Sequence, residues 1–157
     1  MNIIRKATIE DSPLILEFIR QLAIYEKLEH QLENTVTSIE KWIFEEKKAE
    51  VIFLMVDDKE VGFALYFYNY STFVGKPGLY IEDIFILPEY RKMGLGKKVL
   101  SYLAQKALEE GCGRMEWVCL DWNETSINFY QSLEAKPLSD WIIFRLTEDK
   151  IKKLAKK

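Results

Sequence analysis

The stretch that decides the fold is residues 81–100, which read Ile81-Glu82-Asp83-Ile84-Phe85-Ile86-Leu87-Pro88-Glu89-Tyr90-Arg91-Lys92-Met93-Gly94-Leu95-Gly96-Lys97-Lys98-Val99-Leu100. An apolar strand interrupted by two acids ends at Pro88, because proline has no N–H for a ladder bond. A turn of the form Arg-x-x-Gly-x-Gly follows, and from Leu95 onward apolar residues recur at helical spacing. The unpaired N–H groups and positive dipole end of such a helix favour a bound diphosphate. The stretch therefore predicts a strand, a phosphate-binding turn and a helix.

The same residues exclude two other phosphate-binding motifs. A P-loop has Gly where Arg91 stands and Ser or Thr where Lys98 stands. A dinucleotide fingerprint has the spacing Gly-x-Gly-x-x-Gly, which this turn lacks. The alternative that stays open is a helix cap that happens to contain two glycines.

The turn is one part of a longer resemblance. Arg91-Lys92-Met93-Gly94-Leu95-Gly96 resembles the acetyl-CoA pyrophosphate loop of the GCN5-related N-acetyltransferases. Residues 80–86, 122–130, 4–8 and 22–26 are similar to one branch of that family, the spermidine/spermine (diamine) acetyltransferases. The likeness implies the acyl-CoA N-acyltransferase fold, an α/β fold with a mixed, mostly antiparallel sheet and helices on both faces. In that fold the fourth and fifth strands splay apart, and the pantetheine arm of the cofactor fills the gap.

Composition limits the alternatives. The 157 residues are 48% hydrophobic and 30% charged, which is ordinary for a globular protein and fits a single domain, residues 1–157. A net charge of −3 argues against a nucleic-acid partner and suits a small cationic substrate. Cys112 and Cys119 fit neither a disulfide framework nor a metal site, so we expect inert buried thiols, no metal and a cytoplasmic setting. We also expect no signal peptide and no membrane partner, because no apolar run reaches transmembrane length.

Hydrophobic periodicity and turn residues predict six strands and four helices. The strands are predicted at residues 2–7, 51–56, 61–70, 81–87, 115–120 and 141–146. The helices are predicted at residues 13–28, 37–44, 95–110 and 123–133, the second of them behind a capping box formed by Thr37 and Glu40. The single histidine, His30, falls in a polar inter-helix segment and is predicted to lie on the surface.

Transfer of an acetyl group from a thioester to an amine benefits from an acid that protonates the departing thiolate. Tyr130 is the candidate, because Ser126 and Tyr130 share a helix face and Asn123 caps the same helix. The resemblance implies that Asn-x-x-Ser-x-x-x-Tyr is the second cofactor signature, with the Tyr hydroxyl near the thioester sulfur. The alternative is a Tyr that merely packs with Phe129. Many relatives carry Gly where Glu134 stands, so we expect this helix to end differently.

The amine must also lose a proton, and Glu82 is the candidate base or water-positioning residue. Adjacent strand residues face opposite sides of a sheet, so Glu82 and Asp83 share one surface only if a bulge intervenes, as the resemblance implies. An acid within an apolar strand is unfavourable unless it is paired or functional. The alternatives are a structural pairing with Arg91, Lys6 or Arg114, and Asp83 or water as the base.

The remaining site predictions concern the two ligands. The cofactor is expected to be acetyl-CoA, bound by a set of residues that are mostly backbone donors: Ile84, Phe85, Ile86, Arg91, Lys92, Met93, Gly94, Leu95, Gly96, Lys97, Asn123, Ser126 and Tyr130. The amine is expected to contact a mainly acidic and aromatic set: Tyr25, Glu26, Glu82, Asp83, Asp140 and Trp141. The segment Ser139-Asp140-Trp141 is shorter and less acidic than in the diamine branch, which places recognition of a long polyamine in question.

The sequence therefore predicts an acetyl-CoA-dependent N-acetyltransferase acting on a primary amine of a small substrate, such as a polyamine, a diamine or a lysine analogue. Direct attack in a ternary complex is expected. The alternatives are an acetyltransferase of protein N-termini or lysine side chains, and a non-catalytic acyl-CoA-binding sensor. A homodimer is predicted, because residues 61–70 and the last strand offer more apolar area than a small monomer exposes.

Overall fold

Runs of β-branched and aromatic residues build a five-stranded mixed sheet with the order β1-β2-β3-β4-β5. The strands are β1 (Ile4–Lys6), β2 (Glu50–Val56), β3 (Lys59–Ser71), β4 (Lys76–Ile86) and β5 (Arg114–Trp117). The first four pair antiparallel, and β4 pairs parallel with β5. The structure is a computed structural model that describes residues 3–156. It divides into two units, Met1–Val118 and Cys119–Lys157. A single domain stays a prediction.

Five helices accompany the strands within the described range, residues 3–156. They are α1 (Ser12–Tyr25), α2 (Val36–Ile39), α3 (Leu95–Glu109), α4 (Glu124–Ser132) and α5 (Glu148–Ala155). Short 3₁₀ turns occur at Ile9–Asp11, Glu29–Gln31 and Pro88–Tyr90, and α2 continues into a π-helical turn, Glu40–Glu45. His30 is exposed in its 3₁₀ turn, as the sequence predicts.

The strand register assigns the two faces of the sheet. Phe53, Phe63 and Phe85 are directly opposite one another on neighbouring strands, and they pack with α1 and α2 in one buried cluster. The alternate residues, such as Ile52 and Ala64, point to the other face. Helix α3 follows this second face, since it lines one groove with β1 and buries a stripe of its own: Leu95, Val99, Leu100, Leu103 and Ala107.

Strands β4 and β5 pair over only part of their length. Their register runs from Gly78 opposite Arg114 to Ile81 opposite Trp117. Strand β4 continues to Ile86, still paired with β3, so its last five residues extend past the final β5 partner. Pairing between the fourth and fifth strands therefore ends before β4 does, as the predicted splay requires.

The cap of the second helix differs from the prediction. Its N-cap is Thr35, whose hydroxyl accepts a hydrogen bond from the Ser38 N–H at 3.1 Å. The box that Thr37 and Glu40 were predicted to form is wrong, because both residues already lie inside helical turns. The prediction of two buried thiols is half wrong: Cys112 is buried, whereas Cys119 is exposed.

The final strand is absent from the described residues. Residues 141–146 have neither helical nor strand structure, and Trp141 and Phe144 are 74% and 91% exposed. Composition favoured a strand here, but a strand also requires a neighbour for its N–H and C=O groups, and no described strand pairs with this segment. The sequence also missed α5, whose N-cap Thr147 hydrogen-bonds Asp149.

Helix α4 ends in a Schellman motif on a non-glycine residue. The Ala135 N–H donates to the Tyr130 carbonyl at 3.1 Å and the Glu134 N–H to the Gln131 carbonyl at 2.9 Å. Glu134 has a φ of +67°, the left-handed conformation that glycine adopts most easily. The expectation that replacing Gly by Glu134 changes the helix end is therefore wrong. The glutamate adopts the strained conformation.

We predict that Glu134→Gly stabilises the protein by about 1 kcal/mol, because glycine has no Cβ to oppose a positive φ. The melting temperature should rise in a thermal scan followed by circular dichroism. The matched control is Glu134→Ala, which also removes the carboxylate but keeps the Cβ, and it should bring no comparable gain. Equal gains from both variants would mean that the charge, and not the backbone, disfavours glutamate here.

Candidate active site

The turn at residues 91–96, called the cofactor turn below, has the backbone that its glycines predict. Gly94 is the N-cap of α3 at φ +79°, and Lys92 is also left-handed at φ +63°. The first helical bond runs from the Lys98 N–H to the Gly94 carbonyl at 3.2 Å, so the N–H groups of residues 95–97 precede any intrahelical acceptor. Such a helix end can bind an anion.

Exposure within the turn divides its residues into two groups. Lys92, Met93, Gly94 and Lys97 are exposed, whereas the Leu95 side chain is 5% exposed and anchors α3 to the sheet. A Cβ on Gly94 would meet no atom within 4 Å, so the need for glycine comes from its φ and not from crowding. Gly94 and Lys97 also line a groove of about 1180 Å³ along α3. The predicted cofactor turn is thus open to a ligand.

Arg91 points away from the exposed edge of this turn. Its Nε donates a hydrogen bond to the Ile86 carbonyl at 2.8 Å. Its guanidinium carbon lies 4.7 Å from the centroid of the Tyr25 ring and 5.2 Å from that of Phe85. Both distances are within the range of cation–π attraction. The side chain therefore connects the turn to the last residue of α1.

A β-bulge separates the two acids of β4. Leu65 is opposite Asp83 and Tyr66 is opposite Ile81, so Glu82 is the extra residue. The bulge that the family resemblance implied is confirmed. Asp83 lies on the α1 side of the sheet with Phe85, while Glu82 is exposed. One proposed structural partner of Glu82, Arg114, has its Nε 3.2 Å from Glu116.

Asp83 and Glu26 line one small cavity of about 170 Å³, called the carboxylate cavity below. Its other lining residues come mainly from one face of α1 and from the segment after it: Ile19, Leu22, Ala23, Leu28, Gln31 and Leu32. Among the described lining residues, none carries a positive charge. The cavity therefore combines two acids with apolar walls.

These surroundings change the titration of both acids. Burial raises the pKa of Asp83 to about 7, and the charges of Glu82 and Glu26 add to the effect. Burial also raises the pKa of Glu26. A carboxyl group with a pKa near neutrality can gain and lose a proton at physiological pH. A ligand ammonium would favour its ionised form.

The remaining predicted residues lie in the second unit. The Asn123 side chain accepts a hydrogen bond from the Ser126 N–H at 3.3 Å, so the predicted cap of α4 is confirmed. Ser126 and Tyr130 are half-buried on α4, and the Tyr130 ring lies 5.6 Å from that of Phe129. Asp140 and Trp141 lie in an exposed turn, in which the Trp141 N–H donates to Leu138. The roles of all five stay predictions.

Two other kinds of site are absent from residues 3–156. No three His, Cys, Asp or Glu side chains gather there in a way that could hold a metal ion. None of the helices in that range is both long and apolar enough to cross a bilayer.

Comparison with known proteins agrees with this geometry. The sequence model of the acetyltransferase (GNAT) family matches residues 16–134. Thialysine N-epsilon-acetyltransferase of Mus musculus is 34% identical over 164 residues, covering 97% of this chain and 96% of that protein. L-ornithine N5-acetyltransferase of Arabidopsis thaliana is 32% identical over 199 residues, covering 98% and 87% respectively. An integron cassette protein of V. cholerae has the same fold, with a TM-score of 0.80 and 24% identity over 98% of this chain and 97% of that one.

The fold, the cofactor turn and these matches define the class: an amine acetyltransferase. The chain belongs to the GNAT family, as its sequence predicts, and GNAT acetyltransferases use acetyl-CoA as co-substrate.

Sequence reasoning missed part of the cavity wall. The α1 side of the wall consists of residues at helical spacing: Ile19, Leu22, Ala23 and Glu26. Once Glu26 was predicted to contact the amine, this spacing could have identified the other three. Gln31 follows in a 3₁₀ turn whose path no periodicity indicates. Its place in the wall required the structure.

We predict that Asp83→Asn stabilises the protein in a pH-dependent way. Because the folded-state pKa of about 7 exceeds the ordinary value of 3.8, the folded protein loses stability as the pH rises between those values. The variant should regain up to about 4 kcal/mol at pH 8 and almost nothing at pH 4. Denaturant unfolding at the two pH values measures the difference. An equal gain at both would show that Asp83 ionises normally.

We predict that Gly94→Ala weakens acetyl-CoA binding about tenfold, because a Cβ at φ +79° costs about 1–2 kcal/mol and shifts the turn. Calorimetric titration with acetyl-CoA measures the affinity. Gly75→Ala is the matched control, since Gly75 has a φ of +73° and open space around it in the β3–β4 hairpin. It should lose similar stability and no affinity. Unchanged affinity in folded Gly94→Ala would contradict a role of the turn in binding.

Proposed function

We propose that this protein transfers the acetyl group of acetyl-CoA to a primary amine of a small cationic substrate by direct attack in a ternary complex. The observation that carries the proposal is the carboxylate cavity, where Asp83 and Glu26 meet with no positively charged lining residue among those described. Two acids in apolar surroundings are unfavourable until a cation joins them. An alkylammonium group has the charge and size for that position.

The relatives favour an acceptor class. One is named for acetylation of thialysine at the epsilon position and another for acetylation of L-ornithine at N5. We therefore place side-chain amines of free amino acids, including lysine analogues, ahead of diamines and long polyamines. The segment Ser139-Asp140-Trp141, which the sequence assigns to acceptor binding, carries a single acid, and this suits a short acceptor better than a long one.

The chemistry divides among three groups. A carboxylate of β4 takes a proton from the ammonium, and the freed amine attacks the thioester carbonyl carbon. Backbone N–H groups at residues 84–86 stabilise the oxyanion that develops. The C–S bond then breaks and the Tyr130 hydroxyl protonates the departing thiolate. The second proton of the attacking nitrogen returns to Tyr130, which leaves a neutral amide and a restored hydroxyl. Asp83 suits the role of base because of its pKa, and Glu82 remains the alternative.

Backbone groups of residues 92–97 are proposed to bind the cofactor diphosphate, and Asn123 and Ser126 to contact the cofactor from α4. Residues 84–86 extend beyond the last β5 partner, which supports their proposed contact with the pantetheine arm.

We further propose a cytoplasmic homodimer. The exposed apolar run at residues 141–144 supports self-association, and light scattering at micromolar concentration would contradict it by returning a monomer mass.

The test of the proposed function is release of CoA from acetyl-CoA across a panel of amines, including ornithine, lysine, thialysine, putrescine, spermidine and a lysine peptide.

We predict that Tyr130→Phe lowers turnover by about 10²-fold, because general-acid catalysis contributes about that much. Acetyl-CoA affinity should barely change, since the hydroxyl acts in the transition state. Phe129→Leu is the control for ring packing.

Near-normal turnover of Tyr130→Phe would make the hydroxyl structural and leave water as the proton donor. Tight binding of CoA with no release on any amine would instead favour the acyl-CoA sensor. Release with the lysine peptide alone would favour a protein acetyltransferase.

The base is identified by pH. We predict that kcat/KM of the natural chain falls tenfold per pH unit below about pH 7, because Asp83 must be ionised to accept a proton. The charged groups facing it are Glu82 on β4 and Glu26 on α1. Asp83→Asn and Glu82→Gln are compared from pH 6 to 10. In the variant that lacks the true base, the loss of kcat/KM should shrink as the pH rises toward the pKa of the amine, because free amine then needs no base. A loss that stays constant across the pH range excludes that residue as the base.

A further inference from the structure

Arg91 occupies the first position of the cofactor turn, yet its side chain contacts the acceptor side of the site. The Nε bond to the Ile86 carbonyl, 2.8 Å long, folds the side chain back along the end of β4. The guanidinium then covers the Tyr25 and Phe85 rings at 4.7 and 5.2 Å, and those rings meet edge to face at 6.4 Å. A guanidinium that covers two aromatic rings makes a directional contact with them.

Tyr25 lies next to one of the two acids of the carboxylate cavity. It is the last residue of α1, and Glu26 is the C-cap. The chain turns sharply here, because Lys27 has a φ of +60° and the Leu28 N–H donates to the Ala23 carbonyl at 2.8 Å. A short, tightly bonded helix end moves as one piece, so the position of Tyr25 determines that of Glu26.

Two residues of β4 connect the Arg91 contact to the carboxylate cavity. Phe85 lies under Arg91 and Tyr25, and Asp83, two residues earlier on the same face of β4, lines the cavity with Glu26. The contact of Arg91 with Tyr25 therefore lies beside the point where α1 and β4 bring the two carboxylates together.

We propose that Arg91 is a positioning residue for the amine acceptor: through Tyr25 it holds the end of α1 so that Glu26 stands opposite Asp83. The inference rests on the proposed function for its substrate and goes beyond it, because it moves the role of the Arg91 side chain from the phosphate to the acceptor. The diphosphate is left to the backbone of the turn.

The experiment compares Arg91→Met, Tyr25→Leu and the double variant in the full chain. Arg91→Met keeps the aliphatic length and loses the donor and the charge, while Tyr25→Leu loses the ring. Each should raise the amine KM about tenfold and change the acetyl-CoA KM by less than about twofold. The double variant should be no worse than either single one, because both remove the same contact.

The matched control is Tyr90→Leu. Tyr90 precedes Arg91 in the chain and has its own cation contact, Lys59 at 5.8 Å from its ring. Loss of that pair should leave both KM values unchanged. Tyr25→Phe restores the ring and should lie closer to the natural chain than to Tyr25→Leu. A raised acetyl-CoA KM in Arg91→Met with an unchanged amine KM, or additive effects in the double variant, would overturn the proposal.

A second readout needs no substrate. The Asp83 carboxyl is titrated by ¹³C NMR in the natural chain, Arg91→Met and Tyr90→Leu, with circular dichroism confirming that each is folded. Release of the α1 end removes Glu26 and admits water, so the pKa of Asp83 should fall in Arg91→Met alone. An unchanged titration overturns the positioning role. If the Asp83 titration shifts in Arg91→Met but the natural chain transfers acetyl to no amine, the proposed function is rejected and the positioning role of Arg91 stands.

Discussion

Strand β4 pairs with β3 along its whole length except at one residue, Glu82, which the bulge leaves without an opposite partner. Because of that extra residue, the alternation of side chains between the two faces of the sheet shifts by one position, so residues before Glu82 and residues after it follow opposite patterns. Asp83 and Phe85 consequently lie on the α1 side of the sheet. The carboxylate cavity, the aromatic contact of Arg91 and the start of the splay from β5 all lie within a few residues of this interruption.

The cavity illustrates how stability and function oppose each other. Burying Asp83 beside Glu26 raises its pKa to about 7 and disfavours its charge. A sequence selected for stability alone would place an apolar or amide side chain there. In the proposed function, the same unfavourable charge attracts a substrate cation and provides a base that titrates near neutrality. The surrounding core, with Phe53, Phe63 and Phe18 in contact, supplies the stability that this arrangement requires.

The two halves of the site follow different physical rules. The cofactor turn is a local structure, in which Gly94 and the first turn of α3 suffice to create an anion-binding end. The carboxylate cavity, the proposed acceptor site, is assembled from segments far apart in the chain, the end of α1 and the middle of β4. Arg91 lies in the cofactor turn by its place in the sequence, but its side chain contacts Tyr25 at the end of α1. One side chain can therefore link the two halves of the site.

The sequence by itself determined the strand–turn–helix around Gly94, the Asn123 cap and the family, because each depends on neighbours within a few residues or on matching motifs. The bulge at Glu82 and Asp83 followed from the family resemblance. Prediction from the sequence failed where partners are distant. Residues 141–146 have the composition of a strand without a paired neighbour. The prediction also failed at Glu134, whose hydrogen-bond partners are local but whose backbone adopts a conformation that glutamate disfavours. The direction of the Arg91 side chain, and the raised pKa of Asp83, were decided by tertiary packing alone, since both depend on α1 lying against β4.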